Sequence, residues 1–386
     1  MNKLIGTMIR KYRLEKNYSQ EGLCKGVCAV SYLSKIEQGS VEASPEILQG
    51  LLHRLGESFD DDPSFLEPAG QIMEEGWQQV FCQGDCPRAE AFIQANRSRL
   101  LHGPYLLDAL LLEKNSQKNL PKLRELVHCM QPRQYTIFLL LEGRYEEAVQ
   151  CDPCGFVLLQ AGSNQCTKGE YAAALRLLER AWQQSAEEAN LRLMILAKTM
   201  LGNTYSELQD WQQMDRCYQA ALRMLEEVNQ PWTEEYISSI HYNVGATLLE
   251  RQQYAQGWQQ LSQCTRQDGL HCHKMAVAAE ALGRTAEALD WIERGMKYCE
   301  ESSYDFCLRQ RLELVRFRLE HPDYLQSDAY ESMLMDCFYT LQRKGLQGHA
   351  RFELVWLIRF LQHRRRYKEL AELLLQFSSI DSPMTV

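Results

Sequence analysis

One pattern recurs along the middle of this 386-residue chain: an aromatic residue with a small residue three positions later. It occurs at Tyr145 with Ala148, Tyr171 with Ala174, and Tyr254 with Gly257; Trp211 with Met214 lacks the small partner, and Thr285 with Ala288 lacks the aromatic. Nine positions ahead of four of these anchors stands another small residue, Gly162, Gly202, Gly245 or Ala276. Ten positions after three of them stands Ala181, Ala221 or Gly295. Anchor spacings of 26, 40, 43 and 31 residues fit a two-helix unit repeated irregularly. Small residues at two levels let paired helices approach closely, and the aromatic is expected to wedge into the gap between them. Such a unit cannot bury its apolar face alone, so neighbours must stack into an array. A further unit around Tyr367 and Leu370 carries the pattern weakly.

Only 11 prolines, against many Leu, Ala, Glu, Gln and Arg, favour helix throughout. No window holds 18 consecutive apolar residues, so no membrane span is expected. The opening Met1-Asn2-Lys3-Leu4-Ile5-Gly6 has no signal-peptide core, and a cytoplasmic location follows as the expectation. The 14 cysteines are scattered, as free thiols in a reducing compartment would be, and disulfides are not expected.

Charge divides the chain unevenly. Residues 1–56 carry eight Lys/Arg and five Asp/Glu, net +3, so the remainder carries −12 of the total −9. A basic module on an acidic body suggests that the small module meets the polyanion. That module reads as four short helices. Ile5, Ile9, Tyr12 and Leu14 have helical spacing, and Asn17 ends the first helix. Ser19 caps a second helix, Gln20–Lys25, which Gly26 breaks. A third runs from Ala29 to Glu37 and stops at Gly39; Ser44-Pro45 opens a fourth, Glu46–Leu55, ended by Gly56. Two short helices across a Gly-containing turn are the helix-turn-helix plan, although four such helices could also make a protein-docking module.

Ser19-Gln20-x-x-Leu23, Leu33-Ser34-Lys35-Ile36-Glu37-x-Gly39 and Ser44-Pro45-x-x-Leu48 resemble the Cro/C1-type (Xre) repressor domain. The resemblance implies that Arg13 pairs with Glu37. Gln20 to Glu37 is one step short of the common pattern; with Cys28, that shortened turn is similar to the PlcR-like branch. Carried over, Val30, Ser31 and Lys35 face the DNA major groove: Val30 toward a thymine methyl, Ser31 toward either base type, Lys35 toward a guanine edge or a phosphate. Gln20 and Tyr32 would hold the backbone and set register. Ser31 could equally be a solvated residue.

Asp60-Asp61-Asp62-Pro63 is expected to interrupt helix, giving a linker at residues 57–68 between a head at 1–56 and a repeat domain at 69–386. The repeats, clearest at about 130–300, resemble the tetratricopeptide repeat in Leu201-Gly202-Asn203-Thr204-Tyr205 and Ala281-Leu282-Gly283-Arg284-Thr285-Ala286-Glu287-Ala288. The resemblance implies an all-α fold with a right-handed superhelical array and a concave groove behind the head. Asn203 and Asn243 fall where peptide-binding arrays place asparagines. An Asn amide donates and accepts at once and can clamp an extended peptide backbone; either could instead cap or solvate a helix. The lysine partners of a carboxylate clamp are not found at the matching positions. Tyr205, Tyr242 and Trp211 nearby are read as inter-helix packing.

Little here suggests chemistry. Cys151-Asp152-Pro153-Cys154 has no second Cys/His pair, and the adjacent residues of His271-Cys272-His273 diverge by about 100° on a helix. Neither a metal site nor a cofactor is expected, and no catalytic constellation is found. Arg364-Arg365-Arg366 with Lys368 reads as a solvated, salt-bridged face, with contact to DNA or a partner as the alternative. The combination resembles the PlcR/NprR/Rgg group of peptide-pheromone, quorum-sensing regulators. It implies a homodimer on a two-fold double-stranded operator and an effector peptide in the groove; where the dimer contacts lie stays open, with the region after about residue 300 as a candidate. The alternative is a regulator whose groove sequesters a protein, such as a response regulator or phosphorelay protein.

Overall fold

The structure is a computed structural model that describes residues 2–228, 230–265, 267–301 and 307–378. Among the described residues the regular elements are all helical. The chain divides into two compact units, Met1–Ala197 and Lys198–Val386.

The first unit opens with α1 (Asn2–Glu15), α2 (Gln20–Cys24), α3 (Val30–Glu37) and α4 (Pro45–Leu55). Ile5, Ile9, Leu23, Leu33, Ile36, Leu51, Leu52 and Leu55 form their common core. Ser19 Oγ accepts from the Gly22 amide at 2.9 Å, closing the N-terminus of α2. Gly39, at φ +68°, ends α3 in the left-handed region. A Cβ on Gly6 would collide with the backbone of Ile36, so α1 and α3 touch there without side chains between them.

The acidic run starts a helix rather than interrupting one. Asp62 Oδ1 accepts from the Ser64 amide at 3.1 Å, and Pro63 stands at the first helical position, where its missing N–H costs nothing. Residues 63–68, expected as linker, are therefore the first turns of α5 (Pro63–Gln83). There follow α6 (Pro87–Leu101), α7 (Leu106–Leu112), α8 (Leu120–Glu125), α9 (Pro132–Leu141), α10 (Tyr145–Cys151), α11 (Gly155–Thr167) and α12 (Tyr171–Glu187). Within this unit Lys11 Nζ reaches Glu125 at 2.6 Å, and the Thr7 hydroxyl lies 2.9 Å from His128 Nε2, so α1 is tied to the end of α8 and the segment that follows it.

The second unit takes α13 (Leu191–Glu207) from Lys198 on, then α14 (Trp211–Glu226), α15 (Thr233–Glu250), α16 (Tyr254–Leu261), α17 (Gly269–Ala281) and α18 (Thr285–Glu301). It ends with α19 (Leu308–Glu320), α20 (Asp328–Arg343), α21 (Gln347–His363) and α22 (Tyr367–Ser378). Phe338, Phe352, Phe360 and Tyr330 anchor a core continuous with Leu261, Val277 and Ile292.

The repeat anchors prove to be helix starts. Tyr145, Tyr171, Trp211, Tyr254, Thr285 and Tyr367 are the first residues of α10, α12, α14, α16, α18 and α22. The aromatics themselves are only half-buried or exposed. The residue that fills the inter-helix gap comes seven positions later. Leu178 packs where a Gly162 Cβ would lie 2.8 Å away, and Tyr218 and Leu261 do the same for Gly202 and Gly245 at 2.6 Å. The small residues Ala148, Ala174, Ala181, Ala221, Ala276 and Ala288 are fully buried. Close approach at these levels leaves no room for one more methyl group.

The basic run near the C-terminus is a paired face. Arg364 meets Asp328 at 2.5 Å, Arg366 meets Glu331 and Glu369, and Lys368 lies 4.0 Å from Glu372. Arg365 sits in the turn between α21 and α22 at φ +59°.

Candidate nucleic-acid interface and ligand cavity

On α3, Leu33 and Ile36 point into the core and leave the opposite face outward. Val30 is 43% exposed, and Ser31 and Lys35, one turn apart, are exposed beside it. These three present one face of a short helix, as a groove-reading element requires. Tyr32 is half-buried, and its hydroxyl donates to the Glu42 carbonyl at 3.2 Å. Gln20 is also engaged: its amide donates to Glu37 Oε2 at 2.9 Å. That carboxylate is held by Arg13 through Nε at 2.6 Å and Nη2 at 3.0 Å, a buried bidentate pair. The hydrogen bond to Glu37 raises the Arg13 pKa above its ordinary range. Arg13, Gln20 and Glu37 thus lock α1, α2 and α3 together, and Val30, Ser31 and Lys35 stay on the outward face of α3.

Asn203 of α13 and Asn243 of α15 come together in the second unit, on the wall of a cavity of about 360 Å³. Asn243 Nδ2 donates to Asn203 Oδ1 at 2.9 Å, and the Tyr218 hydroxyl donates to the same oxygen at 2.7 Å. Burial raises the Tyr218 pKa, which keeps that hydroxyl a donor. The Asn203 amide lies 3.8 Å from the Met200 sulfur, a weak acceptor. Two side chains 40 residues apart are thereby joined on the cavity wall.

The cavity also gathers charges that sequence reasoning missed. Lys274 from α17 and Arg351 from α21 line it, with Glu207, Glu250 and His349. Arg351 Nη1 pairs with Glu207 Oε2 at 3.1 Å and donates to the Glu207 carbonyl at 3.1 Å; its Nε lies 3.7 Å from Glu250. Burial raises the Glu250 pKa, with Arg351 opposing. Lys274 is buried, its ammonium 2.7 Å from the centre of the Phe352 ring. Burial, followed by the nearby Arg311, pulls its pKa well below the usual lysine range. Lys274 and Arg351 are basic residues of this wall that the sequence reading did not single out. Lys274 stands eleven positions before Thr285, as Asn243 stands eleven before Tyr254.

The flanking histidines belong to the core. His271 Nε2 lies 2.9 Å from the Leu261 carbonyl and its ring meets Trp291 edge-on. His273 packs edge-on against Phe352 on another face of α17, with Cys272 buried between them in sequence. Among the described residues no group of three His, Cys, Asp or Glu is placed to hold a metal ion, and no helix is long and apolar enough to cross a membrane.

An outward-facing recognition helix on a locked four-helix head, in one chain with tetratricopeptide-like repeats, defines a helix-turn-helix DNA-binding transcription regulator. The sequence matches the helix-turn-helix family over residues 9–61 and the tetratricopeptide repeat over residues 199–231. Among solved structures, the fold is similar to the apo form of the quorum sensor NprR from B. thuringiensis. That match has 15% identity and a TM-score of 0.55, and covers 82% of this chain and 99% of that one. NprR in complex with its cognate peptide NprX matches at 14% identity and TM-score 0.48, over 80% and 99%. Bacillus thuringiensis PlcR in complex with the peptide PapR7 and DNA matches at 16% and 0.33, over 83% and 99%. No curated protein matches the sequence.

Proposed function

We propose that this protein is a cytoplasmic, peptide-responsive transcription regulator. Its head binds a two-fold operator as a homodimer, with half-sites about one helical turn, roughly 34–36 Å, or a multiple apart. Val30, Ser31 and Lys35 read bases, while Gln20 and Tyr32 set register at the backbone. A short signalling peptide enters the second unit's cavity, is held along its backbone by Asn203 and Asn243, and alters the dimer arrangement and with it operator binding. The observation that carries this reading is the convergence of Asn203 and Asn243 in one cavity. Polar groups with both donor and acceptor capacity, set in a concave site, suit a ligand whose repeating feature is the peptide bond. The fold's likeness to a quorum sensor supports the same reading. To invert a lopsided equilibrium between two dimer arrangements, the peptide must prefer one by about 5.5 kcal/mol.

The double substitution Asn203→Ala with Asn243→Ala tests it. Operator binding without peptide should be unchanged, and the response to peptide should vanish. A mutant that still responds to peptide would refute the asparagine clamp. One that loses DNA binding or folding would assign the pair to architecture instead.

A further inference from the structure

Another cavity, of about 490 Å³, opens where the head meets the rest of the first unit. Ile5 of α1 and Leu52 of α4 line it and are buried. Leu48 of α4, Phe59 of the segment between α4 and α5, Leu66 of α5 and Pro104 between α6 and α7 complete the apolar lining, each only half-buried. A space of this size with mostly apolar walls suits a small organic molecule, which would take those surfaces out of water. The walls are held in place by the protein itself. The Asp60 amide donates to the His102 carbonyl at 2.7 Å, and Arg99 Nη2 donates to Asp60 Oδ1 at 3.0 Å and to Asp62 Oδ2 at 3.1 Å. Charge at the cavity has one sign: Glu42, Glu57 and Asp61 line it, and no Lys or Arg does. Glu57 is answered by Lys16 at 2.8 Å. Glu42 and Asp61 are exposed, and among the described residues neither lies within 4.0 Å of a Lys, Arg or His nitrogen. The side-chain partner of Asp61 is the neutral Gln49 amide at 3.3 Å. An anion would be repelled here and a neutral molecule would gain nothing from the carboxylates, so charge complementarity selects a cation.

We propose that this cavity binds a lipophilic cation. Its apolar body fills the space between α1, α4, α5 and Pro104, and its positive group rests against Glu42 or Asp61. Such a molecule touches the head and the helix behind it at once, and so fastens one to the other.

Isothermal titration calorimetry of the full-length protein with tetraphenylphosphonium, triphenylphosphine oxide and tetraphenylborate compares a cation, a neutral molecule and an anion built on the same phenyl groups. Tetraphenylphosphonium is expected to bind about tenfold more tightly than either of the others, as attraction to a nearby carboxylate requires. Glu42→Gln with Asp61→Asn changes only exposed side chains and should bring the three within about twofold of one another. Ala43 lines the cavity, and Ala43→Phe, which fills it, should abolish the binding. No binding of any probe to the unmodified protein would overturn the site. Equal or tighter binding of the other two would overturn the choice of a cation. A cation preference that survives Glu42→Gln with Asp61→Asn would place the binding elsewhere and overturn the proposal as well. These three outcomes decide the matter even if Ala43→Phe fails to fold.

Discussion

Lys35 and Arg13 are both cations of the N-terminal head, but burial gives them different tasks. Arg13 is spent on Glu37 inside the head, while Lys35 stands outside on α3. Lys35→Ala should weaken binding to the specific operator by about 1–3 kcal/mol with less effect on random duplex. An equal loss on both duplexes would make Lys35 a phosphate contact. His349 makes a pH prediction. Burial, then Arg311 and Lys274, pulls its pKa from the ordinary 6.5 to about 3. The unfolded chain takes up that proton near 6.5 and the folded chain does not. This contribution to stability is therefore complete above pH 6.5 and is lost progressively as pH falls toward 3. The urea midpoint should drop between about pH 7.5 and about pH 5, and His349→Gln should flatten the drop. Identical slopes for the two proteins would contradict the assignment. At this scale the sequence was legible where a motif is local. Arg13 and Glu37 lie within one small module, and its resemblance to the Cro/C1-type domain implied their pairing. Arg351 was not legible, because it meets Glu207 from 144 residues away. Lys274 carried a register signal that the metal-like His271 and His273 just before it obscured.

The helix pairs show how far a period can be read. Anchor spacing located six helix starts, but it assigned the wedge to the wrong residue. The reason is the turn geometry. Two positions before each anchor lies a residue at positive φ: Gly143, Gly169, Gln209, Gln252, Gly283 or Arg365. That left-handed residue reverses the chain, so the anchor begins the next helix at its rim, and only a residue two turns further on reaches the interface. Three of the six turns use glycine and three tolerate a side chain, which is why no glycine rule announced them. Gly283 sits in open space, where a methyl group would meet nothing within 4 Å. Gly283→Ala should therefore cost only the left-handed strain, about 1–2 kcal/mol, measured by urea unfolding. A loss beyond that range would reveal a contact the geometry does not contain. Asp60-Asp61-Asp62-Pro63 illustrates the converse ambiguity. Asp followed by Pro can end one helix or cap the next, and here the Asp62 side chain caps α5.

For the molecule as a whole, a DNA-reading head and a cavity lined by amides and charges occur in one chain, and the account requires them to be coupled. Each component was legible to a different degree: the head from its motif, the array from its period, the cavity only in the two asparagines that share the repeat register. Its charged wall is completed by Arg351 of α21, beyond the clearest repeats, so no local pattern marked that side. The most direct test is fluorescence anisotropy on the DNA upstream of this protein's own gene, with and without the small-peptide fraction of its host's culture medium. Salt must be fixed, because phosphate contacts make affinity steeply salt-dependent. Binding that is specific for that DNA over random duplex, and that shifts with the peptide fraction, is the predicted result. Specific binding that ignores the fraction would contradict the coupling between cavity and head.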